Sequence, residues 1–438
     1  MNPAILAGVL LITGVHAFDE LVLVVAMPVI SSDLDARSQY GLIIASYILA
    51  SIVGMNWAGR ETDRRGPLPV FIAACAIFVA GILLATSASN TLTFIAGRVL
   101  QGIGGGIGWT LTFALISLTC PPEEKAHAVA AMDVAWVIPS LLAPLVGGIM
   151  VEYLSWRWVF LLQLLPVGAA LLLITPRIQH LEGDGSRHNP WLLLGAVRIA
   201  IAVGVLLYCL GIPPGPIWLL ALPAIWLMAA PMREFMPAGW WQMRTPLSMS
   251  LVMAMLAFVV FYIMEAYAPL YLVDVREVST LQAGLIMTCA SVFWMVGSQA
   301  AARNVLGRDY AMRMLLGLSL IMVGVASMAG MLFADASALW AYPAWCFAGL
   351  GMGITFNTSR TTAMEHTPPG QDGEIGASVN LSISLGLALA TGLGGAFVNH
   401  SQQTQAPLNS AIQGIWMLSL VLAAVGWLLL WRHLHRRG

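Results

Sequence analysis

The chain has 438 residues, 59% hydrophobic and only 9% charged, with 20 basic and 21 acidic residues and a net charge of -1. A water-facing surface needs about a quarter of its residues charged, so two or three soluble domains are excluded, and a mean hydropathy of +0.83 makes lipid the solvent. The near-zero charge also excludes nucleic acid as a partner, because no basic face exists to neutralise phosphates.

A bilayer-crossing helix needs about 20 mostly apolar residues with every backbone polar group satisfied internally. Such runs predict fourteen spans, near 4–30, 40–58, 68–88, 91–119, 127–151, 157–176, 190–211, 216–232, 246–273, 280–304, 310–333, 338–358, 373–398 and 408–431. The first carries Asp19 and Glu20 and has neither a basic leader nor a small-residue cleavage site, so it is expected to be retained. Assigning alternate loops to opposite sides gathers fifteen Lys and Arg on one side and leaves Arg37, Arg157 and Arg276 on the other. Short cytoplasmic loops accumulate positive charge, which predicts that both termini are cytoplasmic, in a bacterial inner membrane. The five cysteines are isolated along the chain, with no CxxC or Cys/His spacing, and read as small core residues rather than a metal or redox site.

The stretch 177–245 opens with the polar run HLEGDGSRHNP and closes with REFMPAGWWQMRTP. Two shorter spans between them are joined by Ile212-Pro213-Pro214-Gly215-Pro216, which no helix passes through. The expected organisation is therefore a six-helix bundle in 1–176, a cytoplasmic linker with an inserted two-helix hairpin in 177–245, and a second six-helix bundle in 246–438. Six plus six helices is the plan of a transporter built from repeats with a site between them at the midplane. Arg198, inside the seventh span, reads as a snorkelling residue.

In chain order, the first span contains Asp19-Glu20-Leu21 through Ala26-Met27-Pro28, and the loop after the second reads Gly59-Arg60-Glu61-Thr62-Asp63-Arg64-Arg65-Gly66. The fourth span contains Arg98-Val99-Leu100-Gln101-Gly102, and the fifth runs from Pro139 through Ala143-Pro144-Leu145-Val146-Gly147-Gly148. Together these resemble the major facilitator superfamily, and within it the fourteen-helix drug:proton antiporter branch. The loop is similar to G-x-L-x-D-R-x-G-R-K/R, matched at Gly59, Asp63, Arg64 and Gly66 but with Glu61 for the leucine. The first span is similar to L-D-x-T-x-x-N-x-A-L-P, and the fourth to R-x-x-Q-G. The fifth is similar to G-x-x-x-G-P-x-x-G-G, matched at Pro144, Gly147 and Gly148, with Pro139 and Ala143 where the pattern has glycines. The resemblance implies an all-α membrane protein of the major facilitator fold, in which Asp63 latches the outward-facing state against a helix end. The bland reading of the loop is a charged topogenic turn.

Charges inside lipid-length helices cost several kcal/mol unless they face water or a partner. Four acids and one base qualify: Asp19, Glu20, Asp133, Glu265 and Arg98. Adjacent residues on a helix point about 100° apart, so of Asp19 and Glu20 one is expected to carry the proton and the other to modulate it, with Arg98 within reach. An acid that alternates between a cationic partner and an apolar surrounding can load and release a proton; the alternative is a static ion pair between two helices. Glu265, near Tyr262, suits a lipophilic cation or else belongs to an interfacial belt. Asp133, nearer the cytoplasmic end of the fifth span, reads as a vestibule residue or a simply hydrated one, and Gln101, Asn357 and Asn380 complete the expected cavity polars, each of which can equally serve as helix glue.

The reading is a secondary active transporter, not an enzyme, that exports amphipathic organic compounds (drugs) by alternating access, driven by protons. It acts as a monomer in the lipid bilayer and needs no cofactor. No GxxxxGK[ST] is present, so ATP is not the expected energy source, and Gly102-Ile103-Gly104-Gly105-Gly106, inside a span, reads as helix packing rather than a phosphate loop. The alternative is an exporter or symporter of one endogenous metabolite, siderophore or lipid. A membrane enzyme is disfavoured for want of a nucleophile, base and orienter set.

Overall fold

A computed structural model describes residues 2–183, 185, 190–212, 215–303, 305–307, 309–333, 336–368 and 372–435. Among them all regular structure is helical: α1 (Pro3–Asp33), α2 (Tyr40–Arg65), α3 (Pro67–Thr86), α4 (Thr91–Thr119), α5 (Pro122–Tyr153), α6 (Trp156–Leu161), α7 (Leu164–Ile178), α8 (Pro190–Leu210), α9 (Ala221–Phe235), α10 (Pro246–Asp274), α11 (Thr280–Ala302), α12 (Tyr310–Phe333), α13 (Ala341–Glu365), α14 (Asp372–Gln403) and α15 (Leu408–His435). The starts follow from local chemistry. Asn90 caps α4 by accepting from the Thr93 amide at 2.9 Å, Thr245 and Ser248 cap each other's backbone at α10, and Pro67 and Pro246 fill first-turn positions that need no donor.

Thirteen segments among the described residues are long and apolar enough to cross a bilayer. The expected sixth span is broken into α6 and α7 by a turn at residues 162–163. The expected twelfth span is the 25-residue α13, which does not qualify on apolarity. From residue 351 onward it contains Gly351, Gly353, Thr355, Asn357, Thr358, Ser359, Arg360, Thr361 and Thr362, and most of these are buried against other helices rather than turned to lipid. Small and hydroxyl-bearing residues serve helix contacts in membranes because they let backbones approach, which is why a span can be internal and yet poorly apolar.

The chain divides into two compact units, residues 1–205 and 206–438, with the division inside α8. In the first, α4 packs between α2 and α3. A Cβ at Gly102 or Gly106 would strike the backbone of Tyr47 or Ser51 on α2, and one at Gly97 or Gly104 would come within 2.6 Å of the Ala85 or Phe78 amide on α3. The glycine run of the fourth span is therefore a packing device, as the sequence suggests. α1 lies along α5 and α7; Gly14 faces Pro139, and a Cβ at Gly147 would sit 2.5 Å from Val22, with Val22, Ala143 and Val159 forming a dry cluster. At one end of this unit Asp33 accepts from Trp156 Nε1 at 2.9 Å and from Arg157 Nη1 at 3.2 Å, and Arg157 also donates to the carbonyls of Thr86 and Ala88. That clamp fixes the start of α6 against the ends of α1 and α3.

The second unit repeats the plan. α13 packs between α11 and α12, with Gly349 and Gly353 against Ala290 and Trp294 on α11 and Gly351 against Gly317 and Ile321 on α12. α10 lies along α14, where a Cβ at Gly386 would meet the Met255 carbonyl at 2.6 Å. The same spacing of glycines on α4 and α13 makes the internal repeat visible at the level of individual contacts. Cys289 on α11 and Cys346 on α13, distant in the chain, are neighbours in the α11–α13 packing, and both are free thiols.

Candidate functional site

The first unit holds a buried polar cluster around Asp19. Asp19 on α1 and Arg98 on α4 are 0% and 1% exposed, and Arg98 Nη1 donates to both carboxylate oxygens, at 3.0 Å to Oδ1 and 2.8 Å to Oδ2. The same nitrogen reaches Gln101 Oε1 at 3.1 Å, and Gln101 Nε2 approaches Asp19 Oδ1 at 3.4 Å. Arg98 and Gln101 are three residues apart on one helix face, which is why the R-x-x-Q spacing delivers both to one carboxylate. Sequence reasoning pairs Asp19 with Arg98 and places Gln101 among the cavity polars; the structure joins all three.

Glu20 does not share the pair. It is partly exposed and makes no hydrogen bond or ion pair among the described residues, as the 100° step between neighbours requires. Three further residues complete the cluster and are absent from the sequence-based set. Gln163, at the break between α6 and α7, donates from Nε2 to Asp19 Oδ1 at 2.9 Å. Tyr47 on α2 lies under the Arg98 guanidinium, 4.5 Å from ring centroid to Cζ, with Phe160 at 5.8 Å from the same carbon. The Tyr47 hydroxyl shares a 2.7 Å hydrogen bond with His16 Nδ1, and His16 stacks on Trp109 and meets the edge of Trp136. Gly105 leaves room for that bond, since a Cβ there would lie 2.5 Å from the Tyr47 oxygen. His16 has a readable signal, because it precedes Asp19 by three and so shares its face. Gln163 is a lone amide in an apolar run, and Tyr47 carries no signal that separates it from an ordinary aromatic.

An ionised carboxylate in such an interior is tolerable only with a cation and several donors, and Asp19 has both. The guanidinium gains a second hold from the aromatic rings, worth about 2 kcal/mol where water is excluded. The arrangement can keep a charge pair stable in a dry bundle and dissolve it when the carboxylate takes a proton.

The loop glycine Gly66 has φ +81°, a conformation for which glycine alone is suited, and a Cβ there would stand 2.5 Å from the Leu181 carbonyl. Arg65 and Arg64 pair with Glu61 at 2.6 and 3.5 Å, so the residue that departs from the loop pattern orders the basic turn. Asp63 and Arg64 are exposed at the end of α2, and Gly59 has open space where a side chain would project. Pro144, Gly147 and Gly148 are buried in α5. In the second unit Glu265 and Tyr262 lie in the buried stretch of α10. Asn357 donates to Ser298 Oγ at 3.1 Å and so ties α13 to α11, whereas Asn380 is exposed. The side chain of Asp133 lies outside the described residues.

The family model of the Major Facilitator Superfamily matches residues 9–391. A probable multidrug-efflux transporter of Mycobacterium tuberculosis is 25% identical over 450 residues, covering 97% of this chain and 93% of its own. Multidrug resistance protein 3 of Bacillus subtilis is 23% identical over 424 residues, covering 94% and 82%. Among solved structures, an auto-inhibited POT family peptide transporter superposes with a TM-score of 0.73 at 16% identity over 97% of this chain and 96% of its own. The Escherichia coli xylose transporter XylE superposes with a TM-score of 0.64 at 14% identity over 98% of each chain. At these identities the structural likenesses establish the fold.

Proposed function

The chain belongs to the Major Facilitator Superfamily, and from that membership we propose that it is a secondary active transporter exporting amphipathic organic compounds, drugs among them, in exchange for protons by alternating access. The names of its relatives support export of unrelated toxic compounds. The observation that carries proton coupling is Asp19, fully buried and held by Arg98, Gln101 and Gln163. Ionised, it is balanced by Arg98; protonated, it releases that cation and loosens α1 from α4. A single chain is the working unit, with residues 177–245 an insert between two six-helix halves.

Purified protein in vesicles with an imposed pH gradient tests this. Dye or drug should accumulate against its gradient, and collapse of the pH difference should abolish accumulation. Transport of one metabolite alone would favour the narrower alternative, and no proton dependence would remove the proposal. In the same assay Asp63→Asn should lower turnover about tenfold at unchanged expression, the scale of ~1–2 kcal/mol between a carboxylate and a helix end. Equal turnover of variant and parent would reduce the loop to a topogenic turn.

Orientation follows from the fifteen-to-three charge split. Reporters fused after residue 438 and within 177–189 should both report cytoplasm; a periplasmic signal from either would overturn the even-numbered topology.

A further inference from the structure

Gln163 has one half of its amide accounted for. It is 1% exposed, its Nε2 donates to Asp19 Oδ1 at 2.9 Å and, at 3.4 Å, to the Val159 carbonyl, and its Oε1 is buried with no hydrogen-bond donor. A buried carbonyl without a donor is costly, and native structures keep few such atoms. The residue also occupies the turn that interrupts the sixth span, between Leu161 and Leu164.

Protonation of Asp19 supplies the missing donor. An ionised carboxylate only accepts, whereas a carboxylic acid carries one O–H that must donate. Of the acceptors around Asp19, Gln101 Oε1 is already taken by Arg98 Nη1 at 3.1 Å. Gln163 Oε1 is the vacant one, a side-chain rotation away. We propose that Gln163 is a positioning residue whose amide turns over as Asp19 is protonated, donating to the carboxylate and accepting from the acid, and so stabilising the proton-loaded form. The step takes one proton from a hydronium ion, whose O–H bond breaks to leave water, and forms one O–H bond on Asp19; no other covalent bond changes. Because Gln163 stands at the break, its turnover reports the state of α1 to the junction of α6 and α7.

The charged and titratable groups facing Asp19 are His16 and Glu20 on its own helix, Tyr47 on α2 and Arg98 on α4. α5 meets α1 at this level through Ala143 and Gly147, with Asp133 outside the described side chains, and Arg157 on α6 is engaged by Asp33.

The inference rests on the proton-coupled reading, and two measurements separate their fates. Gln163→Met keeps length and removes both hydrogen bonds. The carboxylate loses a donor and the acid loses its acceptor, so the two losses offset and the midpoint of the export-against-pH profile should stay within about half a pH unit of the parent's, whereas an amide that only donates to the carboxylate predicts a shift toward alkaline pH of about one unit, one hydrogen bond's worth. An alkaline shift of about one unit would overturn the proposal. Infrared difference spectra of the purified protein on acidification provide the second measurement. The parent should show a glutamine amide carbonyl band that changes together with the appearance of the Asp19 carboxylic acid, and Gln163→Met should lack it. Absence of that band in the parent would also overturn the proposal. If the parent exports nothing in response to protons, the transport reading fails while the infrared measurement still decides the role of Gln163.

Discussion

Asp19→Asn should abolish proton-driven accumulation while leaving a less stable but folded protein able to bind its cargo, because the stranded Arg98 keeps the Tyr47 ring and the Gln101 carbonyl. Asparagine has the shape of the protonated acid and no charge, so the variant resembles the loaded form permanently. Each coupled proton crossing a one-unit pH gradient supplies about 1.4 kcal/mol, a tenfold concentration ratio. The parent should reach a ratio of that order in vesicles, and the variant should stay at unity, with binding that has lost most of its pH dependence. Glu20→Gln, made in parallel, should retain accumulation, because Glu20 stands outside the Asp19–Arg98 pair. If Asp19→Asn still accumulates cargo and Glu20→Gln does not, the proton is carried by the neighbour and the buried pair is scaffolding. If both single variants and their combination accumulate cargo, coupling through the first span is wrong, and Glu265 on α10 becomes the leading carrier.

Much of this was legible before any coordinates. Lipid as solvent, the helical class and the two charged residues of the pair follow from composition and from the expense of charge in hydrocarbon, since Asp19 and Arg98 stand out against apolar neighbours. The twelfth span was legible as an apolar run, yet α13 is dominated in its second half by glycine, threonine and serine, because it is covered by α11 and α12 and has little lipid to meet. What the sequence could not supply is convergence. Gln163 is 144 residues from Asp19, and the hydrogen bond between them depends on a helix break that no proline or glycine at residues 162–163 announces. Tyr47 is one aromatic among many until its ring lies under Arg98 and its hydroxyl finds His16. The glycines of α4 and α13 were readable as packing, but their division between two neighbouring helices emerges only from the helix rotation. Asp19 and Glu20 likewise could not be ranked from adjacency alone; burial of one and partial exposure of the other separate them.

Arg98→Gln should be the most damaging single substitution in the first unit. It removes the cation while leaving Asp19 buried with only amide donors, and stranding one member of a buried ion pair costs about 3–5 kcal/mol. The cation–π contact to Tyr47 is lost as well. The expected result is a sharply shorter lifetime in detergent at fixed temperature, or a protein that survives only at acid pH, where Asp19 is neutral. Adding Asp19→Asn to Arg98→Gln removes the stranded charge, and the two amides can pair; the double variant should regain most of the lost stability, because replacing both members of a buried pair is often close to neutral. Transport distinguishes the two roles of the pair. If Asp19 and Arg98 only hold α1 to α4, the double variant should regain export along with stability. If Asp19 carries the proton, the double variant should be stable and unable to accumulate cargo at any pH gradient. A double variant no more stable than Arg98→Gln would show that the two residues are not energetically coupled, and the account of the buried cluster would fall with it.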